Sequence, residues 1–260
     1  MAQLLLLCHV LIRLKSEGLT NNDFWSTDIF TNMNKFVSFQ SSDFKFMYKN
    51  LFLSVLLFWS FQPVFAQKDW KLSKEKENIK IYTGNMANSK IKAIRVECEF
   101  DARASEIVAL LLDVESAPDW IYHTKSCKLI RRISPSELYY YSEVSVPWPV
   151  ENRDFVAHLS VNQNPHTKVI TIDGPAVSGH VPIKKGVVRI NNSTGKWLII
   201  PESDHHIRVE YTLHVDPGGA LPSWLVNLFA TEGPLHIFRE LKVQLRRPVY
   251  KNAQFAFIKD

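Results

Sequence analysis

At 260 residues and 46% hydrophobic content, the chain is long enough to bury a sizeable core and reads as one domain with an appendage. Its formal net charge of +5 is mild, and its basic residues cluster only as short pairs (Arg131-Arg132, Lys184-Lys185, Arg246-Arg247) without interleaved aromatics, which excludes a nucleic-acid-binding stripe. Three cysteines without C-x-x-C spacing are too few for a disulfide framework.

The appendage is N-terminal. An apolar run over 51–61 follows Lys45 and Lys49 and precedes Val64-Phe65-Ala66, the charged, apolar and small-residue order of a signal peptide cleaved after Ala66. Eleven residues in a helix cover about half of a bilayer's hydrocarbon core, so a membrane span is the weaker reading. Secretory signals open within a few residues of a chain's start, yet forty-six residues precede Met47. The division that reconciles these facts takes 1–46 as a spurious upstream extension, 47–66 as the signal peptide and 67–260 as the folded domain. It places the protein in the periplasm or outside the cell; an uncleaved signal anchor tethering it to a membrane is the alternative.

Beyond residue 67, period-2 patterning predicts strands over 79–83 and 91–100, and 3.6-residue patterning predicts a helix over 104–112, with Ser105 and Glu106 in its first turn. A short helix follows near 118–123. Strands recur over 127–133, 138–146, 154–162, 169–173, 186–191, 196–201 and 205–215, with turn clusters at 191–195 and 202–204. Segment 222–231 reads as a helical entry and 234–246 as a long terminal helix opened by Pro234. Leu235, Phe238, Leu241, Val243 and Leu245 give that helix one broad apolar face. Antiparallel strands with helices set apart make the fold class α+β. Cys98 and Cys127 both fall in strands, and the spacing leaves their pairing open.

The most specific stretch is Pro147-Trp148-Pro149-Val150-Glu151-Asn152-Arg153-Asp154-Phe155-Val156. Proline cannot donate to a strand ladder, so Pro147 and Pro149 bracket Trp148 in a stiff connection off the sheet. Arg153 and Asp154 are consecutive strand residues and point to opposite faces, where each pairs with a neighbouring strand or caps a turn.

This string resembles the PWP-x-x-x-RDF segment of StAR-related lipid-transfer (START) domains. Upstream, Trp70-Lys71-Leu72 through Asn78-Ile79-Lys80-Ile81-Tyr82 is similar to that family's opening, with Asn78 where glycine is usual. Downstream, 219–227, then Gly233-Pro234 and the helix, resembles its C-terminal end. The resemblance covers roughly 70–247 and implies a helix-grip fold, in which a curved antiparallel sheet wraps a long C-terminal helix around an apolar cavity. It also implies one hydrophobic ligand (a lipid, fatty acid or sterol-like molecule), transient contact with a membrane surface, no cofactor, and a monomer.

On that basis the expected cavity lining is Tyr141, Glu143, Phe155, Leu159, Phe229, Leu235 and Phe238, and the expected gate carries Trp148 and Trp224 on the 146–152 and 222–234 segments. Sterol-binding members tend to hold a carboxylate and an arginine inside the cavity. Glu143 matches the carboxylate by motif position, but Leu159 stands where the arginine would be, which departs from sterol specificity. An unpaired, inward Glu143 would have a raised pKa. Its competing placement is the outer face.

No G-x-S-x-G, Walker loop, G-x-G-x-x-G or H-E-x-x-H occurs, and His205-His206 sits in a turn signal without metal spacing. The expectation is a carrier or sensor without catalysis. The alternative is a helix-grip superfamily enzyme, cyclase-like or hydrolase-like, using Glu143 and a tyrosine as acid and base in the same cavity.

Overall fold

The computed structural model describes residues 70–86, 89–219, 221, 225–226 and 228–260. The extension, the signal segment, Pro222 and Trp224 lie outside the described residues. Gln67–Asp260 forms a compact unit by itself.

The unit is a curved sheet closed over a C-terminal helix. The strands are β1 (Trp70–Lys76), β2 (Ile79–Met86), β3 (Ser89–Phe100), β4 (Thr124–Ser134), β5 (Glu137–Val144), β6 (Asn152–Gln163), β7 (Ile170–Pro175), β8 (Val187–Arg189), β9 (Asn192–Ser203) and β10 (His206–Asp216). Helix α1 (Ala104–Leu112) and a 3-10 turn (Val114–Asp119) follow β3, and helix α2 (Gly233–Gln244) follows a single π-helical turn over Leu228–Glu232. The sheet order is β1-β2-β3-β10-β9-β7-β6-β5-β4, with neighbours along that path antiparallel. Short β8 lies parallel to the start of β6. This is the helix-grip architecture that the sequence resemblance implied. Among the described residues, no helix is long and apolar enough to cross a membrane.

Local chemistry explains most boundaries. Glu77 and Asn78 turn the β1–β2 hairpin with φ of 56° and 60°. Asparagine tolerates that left-handed region, so it serves where glycine is usual. Helix α1 is buried on nearly every side, and its exposed amide donors are met by acid: Ser105 N and Oγ donate to the Asp260 carboxylate at 2.8 and 2.6 Å. Helix α2 buries Leu235, Phe238 and Leu241 at helical spacing, continued by Leu245 beyond its end, and Arg239 ties its outer side to Glu77 at 2.8 Å. Val243, expected on the apolar face, is 53% exposed, because 243 falls two residues from 241 and so rotates away from the stripe.

Three differences from the sequence reading have physical causes. Strand β1 was unpredicted because WKLSKEK lies on a sheet edge and hides little surface, so no alternation survives. The 191–195 cluster is not a turn beyond Asn191: β9 begins at Asn192 and pairs through Gly195 with β10 and β7, tertiary pairing overriding turn composition. The second helix is a 3-10 turn starting earlier, at Val114.

Alternation assigns each strand residue to a face, and directly opposed residues share one. The inner face, toward α2, carries Val96, Cys98, Phe100, Leu138, Leu159, Ile170, Ile172, Ile199, Ile207 and Val209 in one continuous core with Leu235, Phe238 and Leu241. Cys98 and Cys127 are both buried free thiols.

Candidate functional site

The start of β6 gathers three loops. In the 145–151 connection, Ser145 N donates to His123 O at 2.8 Å and Val146 N to Asn152 Oδ1 at 3.1 Å. Pro147 O accepts from Val150 N at 3.1 Å, which turns the chain and leaves Trp148 91% exposed, its bond to Pro149 cis. The buried Arg153 guanidinium reaches Pro217 O at 3.4 Å and Gly218 O at 3.3 Å, and also Glu151 O. Arg153 thereby fastens the segment leaving β10 to the segment entering β6.

Asp154 points the other way. Arg189 grips it with two bonds, Nε to Oδ1 at 2.7 Å and Nη2 to Oδ2 at 3.0 Å, while the spare guanidinium donors meet Val181 O and Pro182 O. Tyr141 Oη lies 3.1 Å from Asp154 Oδ2 and 3.3 Å from Glu143 Oε2.

These contacts correct two expected lining residues. Tyr141 opposes Val156 and Glu143 opposes Asp154, on the face away from α2. Glu143 is buried there but not unpaired: Lys125 Nζ at 2.8 Å, Lys184 Nζ at 2.9 Å and Asn152 Nδ2 at 3.3 Å all donate to it. The lysine hydrogen bonds, Lys125 first, pull its pKa from an ordinary 4.5 down to about 2, the reverse of the expected rise for an inward carboxyl. A folded-state pKa below the unfolded value stabilises fully above pH 4.5 and fades as pH falls toward 2. Glu143→Gln is therefore expected to be less stable than the parent at neutral pH, with the gap closing between pH 4.5 and 2 in urea titrations. A pH-independent gap would show that the ion pairs contribute nothing.

The other expected lining residues lie on the α2 side. Leu159, Leu235 and Phe238 are packed solid, at 6%, 2% and 0% exposure. Phe238 stacks on Trp197 with centroids 5.7 Å apart, and Trp197 on Tyr211 at 4.1 Å. Beyond that stack the inner face changes character. Ile94, Tyr140, Phe155, Trp197, Tyr211 and Leu213 all turn toward the helix side yet remain half-buried. Gly174 and Gly195 oppose one another there and present bare backbone. The inner face is thus a packed half and an accessible, apolar half. Phe229 packs 6.0 Å from the Tyr122 ring and 5.8 Å from His123.

Tyr140, Trp197, Tyr211 and the glycine pair were not anticipated. Parity on β6 correctly turned Phe155 and Leu159 inward, but extending it to β5 requires the register across the 145–151 connection, where one residue of slip exchanges the faces.

A recess of about 760 Å³ lies between α1 and the β4 edge, lined by Leu112, Leu129, Ile133 and Phe255. It is open to solvent, and its lining includes no residue of β6. His206 starts β10, with Nδ1 3.0 Å from Asp101 Oδ1 and Nε2 3.7 to 3.8 Å from Glu202 and Glu99, an exposed group whose spacing fits ion pairing.

The START domain family model matches residues 63–250. An uncharacterized protein of Pseudomonas aeruginosa is 32% identical over 175 residues, 67% of this chain and 86% of its own length. The mouse phosphatidylcholine transfer protein is 24% identical over 191 residues, covering 69% and 85% of the two chains. Among solved structures, the STAR-related lipid transfer protein from Xanthomonas axonopodis superposes with a TM-score of 0.63 at 34% identity, covering 68% of this chain and 99% of that one.

Proposed function

Because this chain belongs to the START domain family, we propose that it encloses one lipid between its sheet and α2 and exchanges it at a membrane without altering it chemically. The observation carrying this reading is the accessible apolar half of the inner face, floored by Gly174 and Gly195. Hiding ten methylenes there is worth about 8 kcal/mol, so partition alone drives binding. Lipid transfer by the similar mouse and Xanthomonas proteins, as their names state it, supports the same role here. The test is native mass spectrometry of the gently purified chain, followed by analysis of its organic extract. A discrete added mass matching one lipid is the expected result; a bare chain after incubation with sterols, fatty acids and phospholipids would sink the proposal.

The cyclase-like alternative needed Glu143 inside the compartment as an acid or base. Its place on the opposite face, clamped by two lysines, removes that candidate.

The gate of this carrier is the 145–151 loop and the segment after β10. Trp148 at 91% exposure and Ile183 at 75% are the apolar tips near the β6 junction, with Lys184 and Lys185 beside the latter. Aromatic rings of this kind settle at the lipid headgroup level, and lysines favour an anionic surface. Trp148→Ser is expected to slow lipid exchange between vesicles several-fold while leaving the bound stoichiometry unchanged. Equal exchange rates would remove Trp148 from the gate. Nucleic acid has no place in this reading, and the working unit is a monomer.

Export belongs to the same proposal: the 47–66 segment directs the chain to the periplasm or the exterior, and N-terminal sequencing of the mature protein should begin at Gln67. A mature protein retaining 47–66 would favour the membrane-anchored form.

A further inference from the structure

We propose that the hydroxyls of Tyr140 and Tyr211 are the polar anchor of the lipid compartment and select a lipid whose buried end carries an uncharged hydrogen-bonding group, a hydroxyl or an ester carbonyl. This rests on the carrier reading above and names the chemistry of its cargo.

Both rings stand on the inner face, Tyr140 opposite Ala157 and Tyr211 opposite Trp197. The Tyr211 oxygen lies over the glycine floor, 3.5 Å from where a Cβ on Gly195 would sit. The inner-face positions between the two tyrosines include Ala157, Leu159, Ile172, Gly174, Gly195 and Trp197, none of them charged. Arg153 stands on the inner-side parity of β6, and its guanidinium is engaged by the carbonyls of Glu151, Pro217 and Gly218.

The two hydroxyls differ from the buried phenols of Tyr141 and Tyr250. Tyr141 Oη meets Asp154 and Glu143, and Tyr250 Oη donates to Asp113 Oδ2 at 2.8 Å. Among the described residues, neither the Tyr140 nor the Tyr211 oxygen has a hydrogen-bond partner within the protein, and neither is a fully buried unpaired atom, so both open onto the accessible half of the inner face. Burial pushes both phenols far above their ordinary range, and for Tyr140 the nearby Cys127 and Tyr211 add to that rise. Both are therefore neutral donors.

A lipid that displaces solvent from these hydroxyls leaves them unpaired, at a cost that is relieved only when the lipid itself supplies an acceptor. An anionic or cationic end brought to the same depth would find no counter-charge. The arrangement thus favours cargo that enters with its uncharged polar end foremost or that carries its charge at the gate.

The test uses the whole chain, with 1-hexadecanol, hexadecyl phosphate, hexadecyltrimethylammonium and hexadecane delivered from cyclodextrin. The parent should bind 1-hexadecanol more tightly than either charged probe. The double variant Tyr140→Phe/Tyr211→Phe should bind 1-hexadecanol about tenfold more weakly, with hexadecane unchanged. Its ligand-free melting temperature should stay close to the parent's, because neither hydroxyl bonds within the protein. Undiminished affinity of the variant for 1-hexadecanol would overturn the anchor while leaving lipid carriage intact. Preference for a charged probe would overturn the uncharged end, and a marked fall in melting temperature would show that the hydroxyls bond within the protein. Failure of the parent to bind any probe would strike the carrier reading itself, and the anchor with it.

Discussion

Asp154→Ala is expected to destabilise the domain by about 3–5 kcal/mol, read as a lowered urea midpoint at unchanged slope. The size follows from what is left behind. Asp154 and Arg189 are 1% and 6% exposed and joined by two bonds, so removing the carboxylate strands a buried guanidinium. Asp154 also faces Glu143 directly across the β5–β6 ladder, a like-charge pair that is unfavourable by itself. Lys125, Lys184 and Arg189 neutralise that pair from three directions, and two of them come from the segment between β7 and the end of β8. Arg189→Ala should cost a similar amount, and the double variant clearly less than the sum, because the second substitution removes the charge that the first leaves alone. A loss below about 1 kcal/mol for either single variant would mean that water reaches the site and the pair behaves as a surface ion pair.

The second large effect is functional. Gly195→Leu should reduce lipid occupancy at least tenfold, as read by native mass spectrometry, while the chain stays folded. A Cβ at Gly195 meets Tyr211 Oη at 3.5 Å and Gly174 O at 3.7 Å, both ordinary contacts, and the backbone there needs no glycine conformation. The remaining carbons have only the compartment to enter. Unchanged occupancy would place the lipid somewhere other than above the glycine floor. Phe238 and Leu159 are poorer sites for this experiment than the sequence implied, since both are packed solid and a charge there attacks the core as well as the cargo.

The fold was legible where burial imposes a period. Helix α1 was read to its residue, because Ala104, Ile107, Val108, Leu110 and Leu111 are all buried and nothing solvent-facing blurs the pattern. The inner face of β6 was legible for the same reason, Ala157, Leu159 and Val161 alternating cleanly after Phe155. The opposite assignment of Tyr141 and Glu143 came from β5, where three consecutive tyrosines carry apolar character on both faces and conceal the pleat. Only the ladder with β6 decides that Tyr140 looks inward and Tyr141 outward. Trp197 and Tyr211 escaped notice because their partnership is a register across the β9–β10 hairpin, with a bulge at Glu202 that sequence spacing alone does not show. The PWP and RDF residues announced their importance but not their direction: Arg153 bonds the segment leaving β10, and Asp154 pairs with Arg189 on the far side of the same strand.

The division of the inner face at the Phe238–Trp197–Tyr211 stack has a thermodynamic consequence. On one side of the stack the protein supplies its own interior; on the other a guest must supply it. The occupied chain therefore contains more core than the empty one, and occupancy should raise its melting point by mass action, more so as free lipid becomes abundant. Under the proposed exchange at a membrane, a chain that has delivered its load has reason to remain at the bilayer until it acquires another, so the search between membranes would be made loaded far more often than bare.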